Sequence, residues 1–240
     1  MNKKYSNPPI IEAFCDFRFS NNVYWDNAIP GIFYSLIKNE FPIRAQRIIK
    51  ELNIEDSVSQ GPVNKEILQF FSNDRKKLVQ VGERFLTVNR LKPYNSWEEF
   101  FPSVESSYSC LSDVLNGDFS LDRIGLRFIN SIEIPVNESY DLSKFLNFHP
   151  RIPEGIDYNF SSFITGCFFD ISETDGCRMQ INDSPDDKER KFFVLDIDCF
   201  TKIPQSIAIT DTLAWVKQAH DTVIKMFEYA ITDETRKLID

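Results

Sequence analysis

The run Arg123-Ile124-Gly125-Leu126-Arg127-Phe128-Ile129-Asn130 constrains the fold more than any other stretch of the chain. Side chains alternate across a β-strand, so Arg123, Gly125, Arg127 and Ile129 share one face, while Ile124, Leu126, Phe128, Asn130 and Ile132 share the other. Two arginines on one side and a nearly unbroken apolar row on the other require a sheet whose faces meet different surroundings. A shorter echo, Gly82-Glu83-Arg84-Phe85 followed by Asn89, lies upstream and points to two related halves.

The same alternation opens the chain. From Ile10 to Phe19 the odd positions are apolar, and the even ones mix Glu12, Asp16 and Arg18 with Ile10 and Phe14. Ile29, Ile32, Phe33, Leu36 and Ile37 then follow helical spacing over 24–38, with Pro30 placing the helix start near it. Residues 43–64 read as a connector holding a short strand. Strands are predicted over 66–72 and 78–91, joined at the turn signal Asn73-Asp74. Ser96 and Glu99 have the spacing of a capping box, which predicts a helix over 97–116 stopped by Gly117, with Pro102 in its second turn. In the second half the pattern predicts a strand over 121–134 and a short helix over 141–148. Strands near 159–171, 177–181 and 191–200 follow, then a helix over 211–231. Leu213, Val216, His220, Val223 and Phe227 form that helix's core-facing stripe.

This order predicts an α+β fold, a curved antiparallel sheet with helices packed on one face. It also predicts a twofold internal repeat of strand, helix, strands, helix, in halves 1–117 and 118–240 packed as one compact unit. With 240 residues and 22 phenylalanines the chain has ample apolar area for a core.

Acidic residues outnumber basic ones by 36 to 27, giving a net charge of −9, which argues against direct nucleic-acid binding and suits solubility or a basic protein partner. The basic clusters Arg75-Lys76-Lys77 and 188–191 sit beside acidic residues in expected hairpin ends. Five cysteines without a C-x-x-C pair argue against a zinc site or a disulfide framework. No apolar run approaches about 18 residues and the start lacks a signal-peptide core, so a reducing cytoplasm and no membrane contact are expected.

Four segments together carry a family resemblance: Asn7-Pro8-Pro9-Ile10-Ile11-Glu12; Gly82-Glu83-Arg84-Phe85-Leu86 leading to Pro93-Tyr94 and Trp97; Arg123 to Asn130 followed by Ile134-Pro135; and Ala219-His220 with Phe227-Glu228 and Ile231-Thr232. Across most of its length the chain resembles a sporadically distributed prokaryotic family of similar length that has no assigned activity. The resemblance implies a patchy presence in bacterial and archaeal genomes, the pattern of defence and toxin-antitoxin genes.

Candidate sites follow from the alternation. Arg123 and Arg127, with Arg84 as a third cation, could hold a phosphate or carboxylate through paired hydrogen bonds; alternatively they pair across the sheet with Glu12 and Asp16. Asp196 and Asp198 share a strand face and could hold Mg2+ with a phosphate, although such strands more often present a wet face. Asn130 and His220 are expected as further polar partners in the interior. Trp25, Trp97 and Trp215 fall near helix starts, which assigns them to helix–sheet packing rather than base stacking. No nucleophile signature stands out, so the catalytic residues stay unknown and no cofactor is expected. Two functions remain. The first is a non-enzymatic binding or regulatory protein of a bacterial accessory operon, antitoxin-like or anti-phage, acting through a protein partner. The alternative is a nucleotide- or phosphate-binding enzyme or sensor using an Arg/Asp-lined concave sheet, with Mg2+. The oligomeric state is left open.

Overall fold

A computed structural model describes residues 5–51, 63–135, 142–151, 153–155, 162–184 and 191–240. In the first half lie β1 (Ile10–Phe19), α1 (Ile29–Ile37), β2 (Ile43–Glu51), β3 (Val63–Phe71), β4 (Lys77–Gly82), β5 (Phe85–Leu91) and α2 (Trp97–Val114). In the second lie β6 (Leu121–Ile134), β7 (Ile164–Asp170), β8 (Asp175–Ser184), β9 (Lys191–Thr201), α3 (Thr212–Ala230) and α4 (Asp233–Ile239). The strands form one nine-stranded antiparallel sheet in the order β2-β3-β4-β5-β1-β6-β9-β8-β7, confirming the α+β class. The first strand of each half therefore meets the other at the junction, with Phe14 opposite Arg127 and Asp16 opposite Gly125.

The helices cover the face predicted to be apolar. On α2 the buried residues Phe100, Val104, Tyr108 and Leu111 recur at helical spacing, and Tyr108 lies 4.7 Å from the ring of Phe17 on β1. On α3 the stripe Val216, His220, Val223 and Phe227 is buried as expected, and Phe128 on β6 meets His220. Phe33 of α1 packs on Phe70 of β3. Gly117 takes the left-handed conformation (φ 64°) just beyond α2, the role its position predicted.

Several boundaries depart from expectation. The run 78–91 is a hairpin, not one strand: β4 and β5 meet at Glu83-Arg84, with Arg84 at φ 57°. A positive φ at arginine is a poor turn signal in sequence, so alternation read straight through it. The Gly82 echo thus lies at a turn, whereas Gly125 lies mid-strand. Residues 43–51 form a full strand at the sheet edge, and from Arg44 to Ile48 both of its faces are exposed, so no apolar alternation is imposed there. The expected helix over 141–148 is only a 3-10 turn at Leu142–Lys144, after which Leu146 bridges to Ile231; Asp141 lies outside the described residues. The helix expected over 211–231 is present as α3, and a further short helix, α4, follows it, capped by the Thr232 hydroxyl. The capping box does not form: Ser96 makes no side-chain cap, and the Glu99 carboxylate accepts from Arg90 (3.2 Å) and Asn95 (2.8 Å). Residues 159–161 of the expected strand and 188–190 of the basic cluster also lie outside the described residues.

Candidate functional site

The other face of the sheet is ionic. Arg123 of β6 donates from Nη1 to both oxygens of Asp16 on β1 (2.7 Å each) and from Nη2 to Asp198 on β9 (3.1 and 3.3 Å). Arg127 grips Asp196 with two bonds, Nε to Oδ1 at 2.6 Å and Nη2 to Oδ2, and Arg178 of β8 reaches the same carboxylate at 3.3 Å. Arg18 approaches Asp16 at 3.5 Å. Antiparallel register creates these meetings: Arg127 lies opposite Asp198 and beside Asp196, while Asp198 faces Arg178. The two aspartates therefore serve the guanidinium groups.

Aromatic rings seal the network. Phe200, Phe14 and Phe85 lie under Arg123, Arg127 and Arg18 at 5.0, 5.5 and 5.1 Å. Asp16 and Asp196 are buried, while the Arg123 and Arg127 side chains keep 31% and 30% exposure. Gly125 makes room: a β-carbon there would collide with the Arg123 guanidinium and the Asp16 carboxylate. Burial pulls the Arg123 pKa down, but Asp16 and Asp198 outweigh it and hold it above its ordinary value. At Arg127 the hydrogen bonds to Asp196 raise the pKa. Burial pushes the Asp198 carboxyl up despite the opposing pull of Arg123.

Toward β3 the ionic face changes chemistry. Gln69 donates to Gln80 (3.0 Å), Gln80 to Asn89 (3.2 Å) and Asn89 to Glu12 (2.6 Å), so amides carry the polar row outward across β4 and β5.

The structure thus brings together Asp16, Arg123, Arg127, Asp196 and Asp198, with Glu12 at the margin. Arg84 stands apart in the β4–β5 turn, meeting Glu83 at 3.1 Å. Asn130 and His220 belong to the helix-covered face: Asn130 is buried and donates to the Leu195 carbonyl (3.1 Å), and His220 stacks on Trp97 at 4.0 Å. Arg178 and the amide chain were missed in the sequence reading. The alternation Gly176, Arg178, Gln180 in β8 was the signal for the first; the second carries no motif. Among the described residues no group of three or more His, Cys, Asp or Glu side chains is arranged to hold a metal ion, and no helix is long and apolar enough to cross a membrane.

A second feature lies at the end of α1. A hollow of about 660 Å3 is lined by Tyr24, Asp26, Ile29, Ile32, Asp118 and Phe119, among others. Tyr24 and Ile32 are 77% and 51% exposed, and Leu36 continues the apolar row one turn further along α1. No family model matches the chain, and no curated protein or solved structure matches it.

Proposed function

We propose that the chain is a non-enzymatic binding protein working through protein contacts, with the antitoxin-like or anti-phage role in a bacterial accessory operon that the family resemblance implies. One observation carries this reading: the exposed side chains of Tyr24 and Ile32 line a hollow with Asp26 and Asp118, and Leu36 extends the apolar row along α1, on a chain whose net charge is −9. The ionic cluster itself adds nothing to that excess, since Arg18, Arg123, Arg127 and Arg178 equal Glu12, Asp16, Asp196 and Asp198 in number. The anionic surplus therefore lies elsewhere, and an acid-rimmed apolar hollow fits a basic amphipathic segment. The twofold repeat belongs to the same proposal. Its support is the central placing of β1 and β6, each the first strand of its half; against it, a 3-10 turn stands where α1 has its counterpart.

The test is binding of purified chain to the basic products of neighbouring genes. A complex that weakens with salt and is lost in Ile32→Asp supports the proposal. A complex indifferent to Ile32→Asp, or none with any neighbour-encoded protein, removes it. The second reading, a nucleotide or phosphate at Arg123 and Arg127 with Mg2+ at Asp196 and Asp198, draws on the partial exposure of both guanidinium groups. It is the weaker, because the anion would have to displace carboxylates already bonded there. A nucleotide panel that raises Tm in the wild type but not in Arg127→Ala would restore it.

A further inference from the structure

The two edges of the sheet are guarded unequally. Edge strands expose unpaired backbone groups, and chains that stay single blunt them with charge. At β2 the exposed residues include Arg44 and Arg47. At β7 the run Ile164-Thr165-Gly166-Cys167-Phe168-Phe169 holds no charge and no proline, yet Ile164 is 70% and Phe168 75% exposed. The single charge that follows, Asp170, is taken up by Lys202 at 2.6 Å.

The hydrogen-bond phase of β7 fixes which groups face outward. Ile171 donates to Asp175 (3.0 Å), and Asp183 donates to the Phe163 carbonyl (3.4 Å). Odd-numbered residues of this segment therefore turn their backbone groups toward β8. Ile164, Gly166, Phe168 and Asp170 turn theirs toward the edge, where the described residues place no neighbouring strand.

We propose that β7 pairs antiparallel with β7 of a second copy of this chain, about a twofold axis through Cys167. In that register Gly166 lies opposite Phe168 of the other copy, and these are the residues whose outward N–H and C=O groups can bond. Each Phe168 ring then covers the other copy's glycine, the pairing that stabilises an exposed glycine in a strand. Cys167, bonded on its β8 side, forms the non-hydrogen-bonded pair on the axis, where Cα atoms approach to about 4.5 Å, within disulfide reach. The pairing is closed: the same patch serves both copies, and the edges left over are the guarded β2 strands. A pair of strands this short buries less than a standard interface, so the dimer forms reversibly with concentration. This inference is independent of the basic partner proposed for the α1 hollow, which lies on a different element.

Sedimentation velocity across a concentration series tests it. The wild type shifts from monomer to dimer, and Phe168→Lys weakens the association by at least about tenfold. Mild oxidation of the wild type gives a disulfide-linked dimer through Cys167, the exposed thiol, whereas Cys110 is half-buried and Cys15, Cys177 and Cys199 are buried; Cys167→Ser abolishes that link while dimerising by mass action. Phe168 and Cys167 are both exposed, so neither variant disturbs the core. A wild type that stays monomeric to its solubility limit overturns the proposal. So does a dimer unaffected by Phe168→Lys, or one that Cys167 does not cross-link.

Discussion

The two faces of the sheet are built from alternate residues of the same strands, yet they are held together by different physics. On β6, Ile124, Leu126 and Phe128 point toward the helices and Arg123 and Arg127 away from them. The helix-covered face gains from each apolar area removed from water, so its contributions add residue by residue. The ionic face gains only where every charge meets its counterpart, because an unpaired guanidinium or carboxylate among aromatic rings costs several kcal/mol. One face is therefore a sum and the other a closed set. The closed set explains why a face so rich in arginine is a poor anion trap.

Truncating the apolar face has the largest expected effect. Phe128→Ala removes a fully buried ring that touches Tyr94 and His220, and about 3–5 kcal/mol of stability is lost, readable as a lower urea midpoint with unchanged slope. Breaking the ionic set comes next. Arg123→Ala strands Asp16 and Asp198 on the two strands that flank β6, at about 2–4 kcal/mol, less than for full burial because the guanidinium is partly exposed. The comparison sharpens with a triple variant, Arg123→Met with Asp16→Asn and Asp198→Asn, which removes all three charges. If the face is a closed set, the triple variant is more stable than Arg123→Ala alone. A triple variant that loses as much or more shows that the ionic face is additive too.

The alternation that separates these faces was legible because it depends only on neighbours in sequence. β1 and β6 could be read from Glu12, Asp16 and Arg18, and from Arg123 and Arg127, without knowledge of their partners. The rows were therefore visible, but not who meets whom. Arg127 finds Asp196 across 69 residues and Arg123 finds Asp16 across 107, and those meetings depend on register, which no single strand encodes. Hence Glu12 was expected opposite an arginine and instead accepts from Asn89, ending an amide row. The β4–β5 turn was hidden for the opposite reason: its geometry is local, but Arg84 has none of the composition by which a left-handed turn is recognised.

The smallest expected effect comes from the one ionisable group that the apolar face contains on α3's buried stripe. His220 stacks between Trp97 and the Phe128 region, and burial lowers its pKa from the ordinary 6.5. Asp221, 3.9 Å away, and Glu98 pull the other way, but both are outweighed. The folded chain thus binds a proton at His220 less readily than the unfolded chain does. Its contribution is complete above about pH 6.5 and declines as pH falls from there through the lowered folded value. Comparing Tm of the wild type and His220→Leu from about pH 8 down to about pH 5 isolates this contribution from that of the carboxylates, which both proteins share. The variant should lose less Tm over that interval, and the Trp97 emission of the wild type should change with the same midpoint. Parallel pH profiles for the two proteins would mean that His220 is protonated as easily in the fold as outside it, and the helix-covered face would then tolerate a charge as the ionic face does.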